Sequence, residues 1–397
     1  MGLLCGLERN YSRDMDSFPL QFTAPKVKEP SIHDTYMEQA ITLNGHGDFN
    51  RIKVEDAPVP EFIEDDLVEV EVFYCGLNFM DNYLRLGIIR NTDFPVIMGS
   101  ECSGIAPASG YEVCDIEEGQ RVLCLKMQGG LFHGIAQVPR KNCFPVPDNI
   151  RLIDAVGLGL NFLVAYLCLF DLARLRTGQT VFMQSIAGGV GTAVVQLARL
   201  VPLVKILGTA SVTKHEKLRA LGVNRVFRHD ENYVGQILEE YPGGVDIVIN
   251  TNGGVDTEKC LKLVKACGRL INIGSNSTAI YPKTKFWGLK MPSWDTRQIS
   301  TTHMIKRNCA VIGLNVGDYL ENDTKKVQKI LTTVFQLYTR EQIHPQIHSI
   351  LEFEKVVDGM RQLCSRENCG KVILSVQDEA TRLEVPEYVL NPPRRVR

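Results

Sequence analysis

The residues best equipped for chemistry lie between Gln179 and His215 of a 397-residue chain. A short apolar run, Thr180-Val181-Phe182-Met183, gives way to the turn Ala187-Gly188-Gly189-Val190-Gly191. Apolar residues then resume at helical spacing with Val190, Val194 and Leu197. Strand, glycine turn, helix is the context in which a pyrophosphate can be held. Glycine lets the turn be tight and the backbone come close, and the helix N-terminus aims N–H groups at the anion. The full G-x-G-x-x-G spacing is absent, because Ser185 stands three residues before Gly188. The same glycines would also let a helix pack closely on a strand.

The next element discriminates. Leu203 to Ala210 (LVKILGTA) reads as a second strand, ending about 20 residues past the turn, where an NAD-binding unit carries an acid for the ribose hydroxyls. Between Val204 and His215 there is no acid; the chain offers Ser211, Thr213 and Lys214 instead. Hydroxyls with an ammonium suit a 2′-phosphate, which points to NADPH rather than NADH, with Ser211 and Lys214 as its anchors. The competing reading is a solvated loop holding an ordinary lysine.

Two kinds of chain must position these groups. From Tyr36 to about residue 160 the sequence is strand-rich, as in Asp66 to Val72 (DLVEVEV), whose apolar/charged alternation fits antiparallel strands with one wet face. From about Asn161 it reads as repeated strand–helix units. Val245 to Asn250 and Gly268 to Gly274 are continuous apolar runs, as strands covered on both faces should be. Gly274, closing the second run, joins Ser185, Ala187, Gly188, Gly189, Val190 and Gly191 as an expected cofactor contact. Hydrophobic content of 44%, charged content of 23% and net charge −2 suit a globular protein and give no footprint for nucleic acid. No apolar run is read as reaching the roughly 20 residues that cross a bilayer. The twelve cysteines include no C-x-x-C and read as reduced thiols of a cytoplasmic chain.

Gly76-Leu77-Asn78-Phe79 with Asp81, Gly99-x-Glu101, Gly119-x-Arg121-Val122, the glycine turn, and Gly370-Lys371-Val372 together resemble the medium-chain dehydrogenase/reductase superfamily. Within it, the chain looks most like the quinone oxidoreductase (zeta-crystallin-like) branch. Gly208-Thr209-Ala210-Ser211 with Lys214-His215-Glu216 resembles the synaptic vesicle membrane protein (vesicle amine transport protein) homologues. The resemblance spans roughly residues 36–376. It implies an α/β fold in which a Rossmann doubly wound parallel sheet domain is inserted in a β-rich GroES-like catalytic domain. The implied parts are a 1–35 extension, a catalytic domain over 36–160 and 318–376, an NADPH-binding domain over 161–317, and a 377–397 charged tail. It also places His229 where relatives carry a tyrosine near the adenosine phosphate.

Zinc-dependent members of the superfamily hold the metal through a cysteine, a histidine and a third acid or thiolate. The matching positions here are Asn78, Ser100 and the stretch 158–162, an amide, a hydroxyl and apolar residues, which do not make a zinc site. Cys75 and Cys102 border the same region and read as packing residues. Without a Lewis acid, hydride transfer favours a small apolar acceptor already conjugated, a quinone or an enone, with the protein supplying orientation and one hydrogen-bond donor. Asn78 is the expected donor and Tyr83 stands behind it; alternatively Asn78 is a turn-forming amide ahead of a helix. Arg85-Leu86-Gly87 is followed by Ile88-Ile89, where relatives often carry a tyrosine.

Two functions remain open. One is an NADPH-dependent quinone or enone oxidoreductase. The other is a membrane-associated lipid- or partner-binding protein that keeps the fold with little turnover. Tyr281 to Trp294 alternates aromatics with lysines and suits either a membrane interface or a cleft-covering loop. Met1 to Gly6 half-matches an acylation signal and fails at Gly6. Cys309 to Val316 reads as a late apolar strand whose edge relatives pair in a homodimer.

Overall fold

The structure, a computed structural model, describes residues 35–89, 93–127, 129–277 and 299–377. The acylation reading at Met1–Gly6, the stretch Tyr281–Trp294 and residues 378–397 lie outside them.

The first half builds the antiparallel sheet that alternation demands. In Leu67–Gly76 the side chains of Val68, Val70 and Val72 are fully buried, while Glu69 and Glu71 between them are not. This strand is the centre of a seven-stranded sheet among the described residues. The order is Ile347–Glu352, Lys371–Ser375, Leu67–Gly76, Glu101–Ser109, Gln120–Leu125, Cys143–Pro145, with Ile135–Pro139 also paired to Leu67–Gly76. Two of its strands come from the far end of the chain. The register aligns Cys75 with Cys102, Cys102 with Cys124, and Cys124 with Cys143, a row of four buried thiols across four strands. Burial pushes the Cys75 and Cys143 thiols well up, and they act as small apolar packing groups.

The second sheet is parallel throughout, in the order Arg225–Phe227, Lys205–Thr209, Thr180–Met183, Val245–Asn250, Val264–Asn272, Ala310–Gly313. Every residue of Thr180–Met183 is buried, as a central strand covered by helices on both faces requires. The order reverses at Thr180–Met183, the switch point outside whose carboxyl end such sheets hold ligands. The strand expected from Leu203 starts only at Lys205; Leu203 sits exposed with φ +60°. Near the end of the described chain, Phe353–Lys355 forms a 3-10 turn that continues as the α-helix Val356–Cys364.

One expectation is overturned. The helical segment Leu152–Leu172 is 21 residues long with mean hydropathy 2.0, long and apolar enough to cross a membrane. Its apolar window is 89% buried inside the protein, so here that apolarity serves the core. Its first part, α2 (Leu152–Tyr166), packs on the seven-stranded sheet and on the helices Gly189–Arg199 and Thr324–Thr339, and carries a break at Gly159 (φ −48°, ψ −106°). Two other helices shape the site, α1 (Phe79–Leu86) and α3 (Gly189–Arg199).

Candidate active site

A cavity of about 400 Å³ opens between the two sheets, and all the site residues singled out from the sequence line it. The glycine turn forms its floor. Helix α3 makes its first i→i−4 bond from Thr192 N–H to Gly188 O (2.9 Å), so the N–H groups of Gly189, Val190 and Gly191 precede the ladder. Two of the three glycines are required. A Cβ on Gly191 would enter the Ile186 carbonyl and one on Gly189 the Asn161 amide, whereas Gly188 meets only Ser185 O at 3.4 Å. Ser185 (φ +52°) donates its backbone N–H to Thr209 Oγ1 at 3.1 Å, tying the turn to the neighbouring strand.

Ser211, Lys214 and His229 meet at one end of the cavity, together with Arg366, which the sequence reading did not single out. The Lys214 ammonium donates to the carbonyls of Arg366 (2.5 Å) and Asn368 (2.9 Å), and burial lowers its pKa. His229 is pushed down to about 4, first by burial and then by the Arg366 cation, so it is neutral at pH 7. Two cations and a neutral imidazole around an open volume have the chemistry to hold an anion.

The other end is apolar, lined by Phe79, Met80, Leu160, Val164, Val316 and Leu363. Tyr83 stands there. Its hydroxyl donates to Asn276 Oδ1 (2.5 Å) and accepts from Ser275 N–H (3.0 Å), and burial raises its pKa. Tyr83 thus clamps α1 to the loop after Val264–Asn272. Gly274 packs beside it, where a Cβ would lie 3.1 Å from the hydroxyl. A second clamp runs from Gly370 N–H to Ala187 O at 2.8 Å. Gly370 has φ +101° and no room for a Cβ against the Gln346 carbonyl, so only glycine closes this joint.

Between the two ends lies a buried polar cluster. Asn78 caps α1, with its backbone N–H given to Asp81 Oδ2 at 2.8 Å. Its amide N–H₂ faces inward, toward Gly76 O (3.0 Å), Glu101 Oε2 (3.1 Å) and Ser100 Oγ (3.3 Å). Its Oδ1 accepts from the ammonium of Lys371 at 2.8 Å. Lys371 also donates to Glu101 Oε2, and Glu101 Oε1 accepts the Leu160 N–H (2.5 Å) that the break at Gly159 releases from α2. Asp81 beside the cluster is pushed up to about 7 by burial, against the pull of the Asn78 N–H and the Lys371 charge. The donor expected from Asn78 is therefore spent on the protein, and the cation among these positions is Lys371. Glu101 and Lys371 figured in the sequence only as parts of motifs.

The donor set does not fit zinc. Among the described residues no three His, Cys, Asp or Glu side chains converge on a point that could hold a metal ion. Ser100 supplies only a hydroxyl, and Glu101 is already bound to an ammonium and a backbone N–H.

Residues 64–148 match the family of alcohol dehydrogenase GroES-like domains, and residues 189–333 the family described as zinc-binding dehydrogenase. The synaptic vesicle membrane protein VAT-1 homolog of Rattus norvegicus is 35% identical over 339 residues, covering 85% of this chain and 83% of its own length. Quinone oxidoreductase-like protein 2 of the same species is 27% identical over 330 residues, 81% of this chain and 88% of its own. Among solved structures, human synaptic vesicle membrane protein VAT-1 homolog-like protein is similar at TM-score 0.74 and 29% identity, covering 86% of this chain and 99% of that one.

Proposed function

This chain belongs to the VAT-1-like branch of the medium-chain dehydrogenase/reductase superfamily, and from that premise we propose that it is a zinc-independent, NADPH-dependent oxidoreductase acting on an apolar quinone or conjugated carbonyl. The family and its quinone oxidoreductase-like relative support an oxidoreductase. The observation that carries the finer reading is that one cavity joins a glycine-turned helix N-terminus and the Lys214–Arg366 corner to an apolar end, with no metal-ligand triad among the described residues. NADPH, when bound, supplies the hydride. The first turn of α3 would hold its pyrophosphate, and Ser211, Lys214 and Arg366 its 2′-phosphate. Phe79, Met80, Leu160 and Val164 exclude water and select an acceptor with little polar surface. The test is NADPH oxidation against a panel of quinones and enones, before and after exhaustive chelation. Turnover that survives chelation supports the proposal, and loss of turnover on chelation refutes its metal-free part.

A second reading is favoured by the relatives' names, which describe synaptic vesicle membrane proteins. On it the chain binds a membrane peripherally and turns over little, and vesicle flotation of the full chain separates the two. For assembly we propose a homodimer through Ala310–Gly313, a partly exposed edge strand of the parallel sheet. A dimer mass by light scattering is expected, and a monomer mass at micromolar concentration refutes it.

A further inference from the structure

We infer that Lys371 is the electrophile of this site, its ammonium receiving the negative charge that forms on the acceptor oxygen. The inference rests on the oxidoreductase reading above and adds the group that polarises the acceptor.

Lys371 is buried, with 2% of its side chain exposed, yet lines the cavity. Two of its three N–H groups are held, by Asn78 Oδ1 and Glu101 Oε2; the third has no partner among the described residues. Glu101 is itself fixed by the Leu160 N–H and the Asn78 amide, so the cation cannot swing away. The backbone makes room for it from two sides. A Cβ on Gly76 would lie 2.6 Å from both Glu101 Oε2 and Lys371 Cε, and one on Gly159 would enter Glu101 Oε1. Replacing a buried ion pair by apolar groups of similar size is often neutral or stabilising, so stability alone does not call for this one. The other polar groups nearby are committed: the Asn78 amide points inward and the Tyr83 hydroxyl donates to Asn276. A fixed donor in a dry site, aimed where charge develops, is the arrangement that lowers a hydride-transfer barrier most.

The step balances as follows. A hydride, carrying two electrons from the reduced nicotinamide, forms a C–H bond at the β-carbon of the enone. The C=C pair shifts and the C=O π pair ends on oxygen. Lys371 donates a hydrogen bond to that enolate and keeps its proton; the enolate later takes a proton from water. The nicotinamide is oxidised and the acceptor reduced, with no further reagent.

The experiment uses 4-nitrophenol, whose anion carries its charge on an oxygen and is read by absorbance, with nucleotide-free protein. Wild-type protein is expected to ionise the bound phenol at a pH about one unit below that of the free phenol. The double variant Glu101→Gln/Lys371→Met, which removes both charges together and avoids stranding one, is expected to leave it unshifted. With NADPH and an enone, the double variant should lose about 10²–10³-fold in kcat. Its NADPH affinity by fluorescence should stay within about twofold, because the phosphate contacts lie elsewhere. No shift in the wild-type protein, or an equal shift in both proteins, overturns the inference. Failure of NADPH to bind would sink the oxidoreductase reading while leaving the phenolate result to stand or fall separately.

Discussion

Glu101 and Lys371 form an ion pair with side-chain exposures of 0% and 2%, and its energetics can be worked out from the partners. Replacing Glu101 by Gln keeps the shape but supplies one acceptor oxygen where the carboxylate used two. If the amide oxygen faces Leu160 N–H, its NH₂ group points at the Lys371 ammonium and the Asn78 amide. If it is turned over, the NH₂ group meets Leu160 N–H. Either way donor faces donor and the ammonium is left uncompensated, which costs about 3–5 kcal/mol. Lys371→Met strands the carboxylate and leaves Asn78 Oδ1 without its donor, at a similar cost of about 3–5 kcal/mol. The double variant removes both charges, so its loss should fall short of the sum of the two by at least about 2 kcal/mol. Denaturant midpoints of the four proteins give the cycle. Additive losses, or a loss below about 1 kcal/mol for either single variant, would refute a buried, mutually compensating pair.

Other expectations are open to direct measurement. Lys214→Ala should weaken NADPH about tenfold to hundredfold and leave NADH unchanged. Residual preference should persist until Arg366 is also replaced, and fluorescence titration with both nucleotides checks each point. Asp81, pushed up to about 7 from an unfolded value near 3.9, binds its proton more tightly in the folded protein. Its contribution is therefore complete below about pH 4 and is lost as pH rises through about 7, an effect on the order of a few kcal/mol. Asp81→Asn keeps an acceptor for the Asn78 N–H and should be more stable than wild type at pH 8 and no more stable at pH 4, as denaturant midpoints at the two pH values will show.

The parts legible in the sequence are those whose signal is local. The glycine turn, the acid-free end of the second strand and the alternation in Leu67–Gly76 each fit within one or two elements, and the folded chain gathers their residues around one cavity. The missed groups depend on chain return. Arg366 meets Lys214 across 152 residues of sequence, and Lys371 meets Glu101 across 270 and Asn78 across 293. Those approaches are set by the strand Lys371–Ser375 joining the first sheet, which no spacing displays. The role given to Asn78 illustrates the consequence. An amide ahead of a helix reads equally well as a donor or as a cap, and only the position of Lys371 shows that its oxygen and both its N–H groups are occupied. The row Cys75, Cys102, Cys124 and Cys143 has irregular spacing and becomes a row only through sheet register. The apolar segment Leu152–Leu172 is interrupted in the sequence by Asp154, Asn161 and Asp171. In the fold Asp154 accepts from Tyr338 (2.8 Å) and Asp171 lies 2.7 Å from the Lys326 ammonium, so both carboxylates have a partner at the ends of a helix that packs into the core.

The most direct test of an NADPH site in this cavity is a paired titration of NADPH and NADH into the purified chain, followed by fluorescence. Tight binding of NADPH with NADH weaker by at least about tenfold is expected from the Lys214–Arg366 corner. Equal affinities would contradict the 2′-phosphate assignment, and no binding of either nucleotide would contradict the oxidoreductase itself.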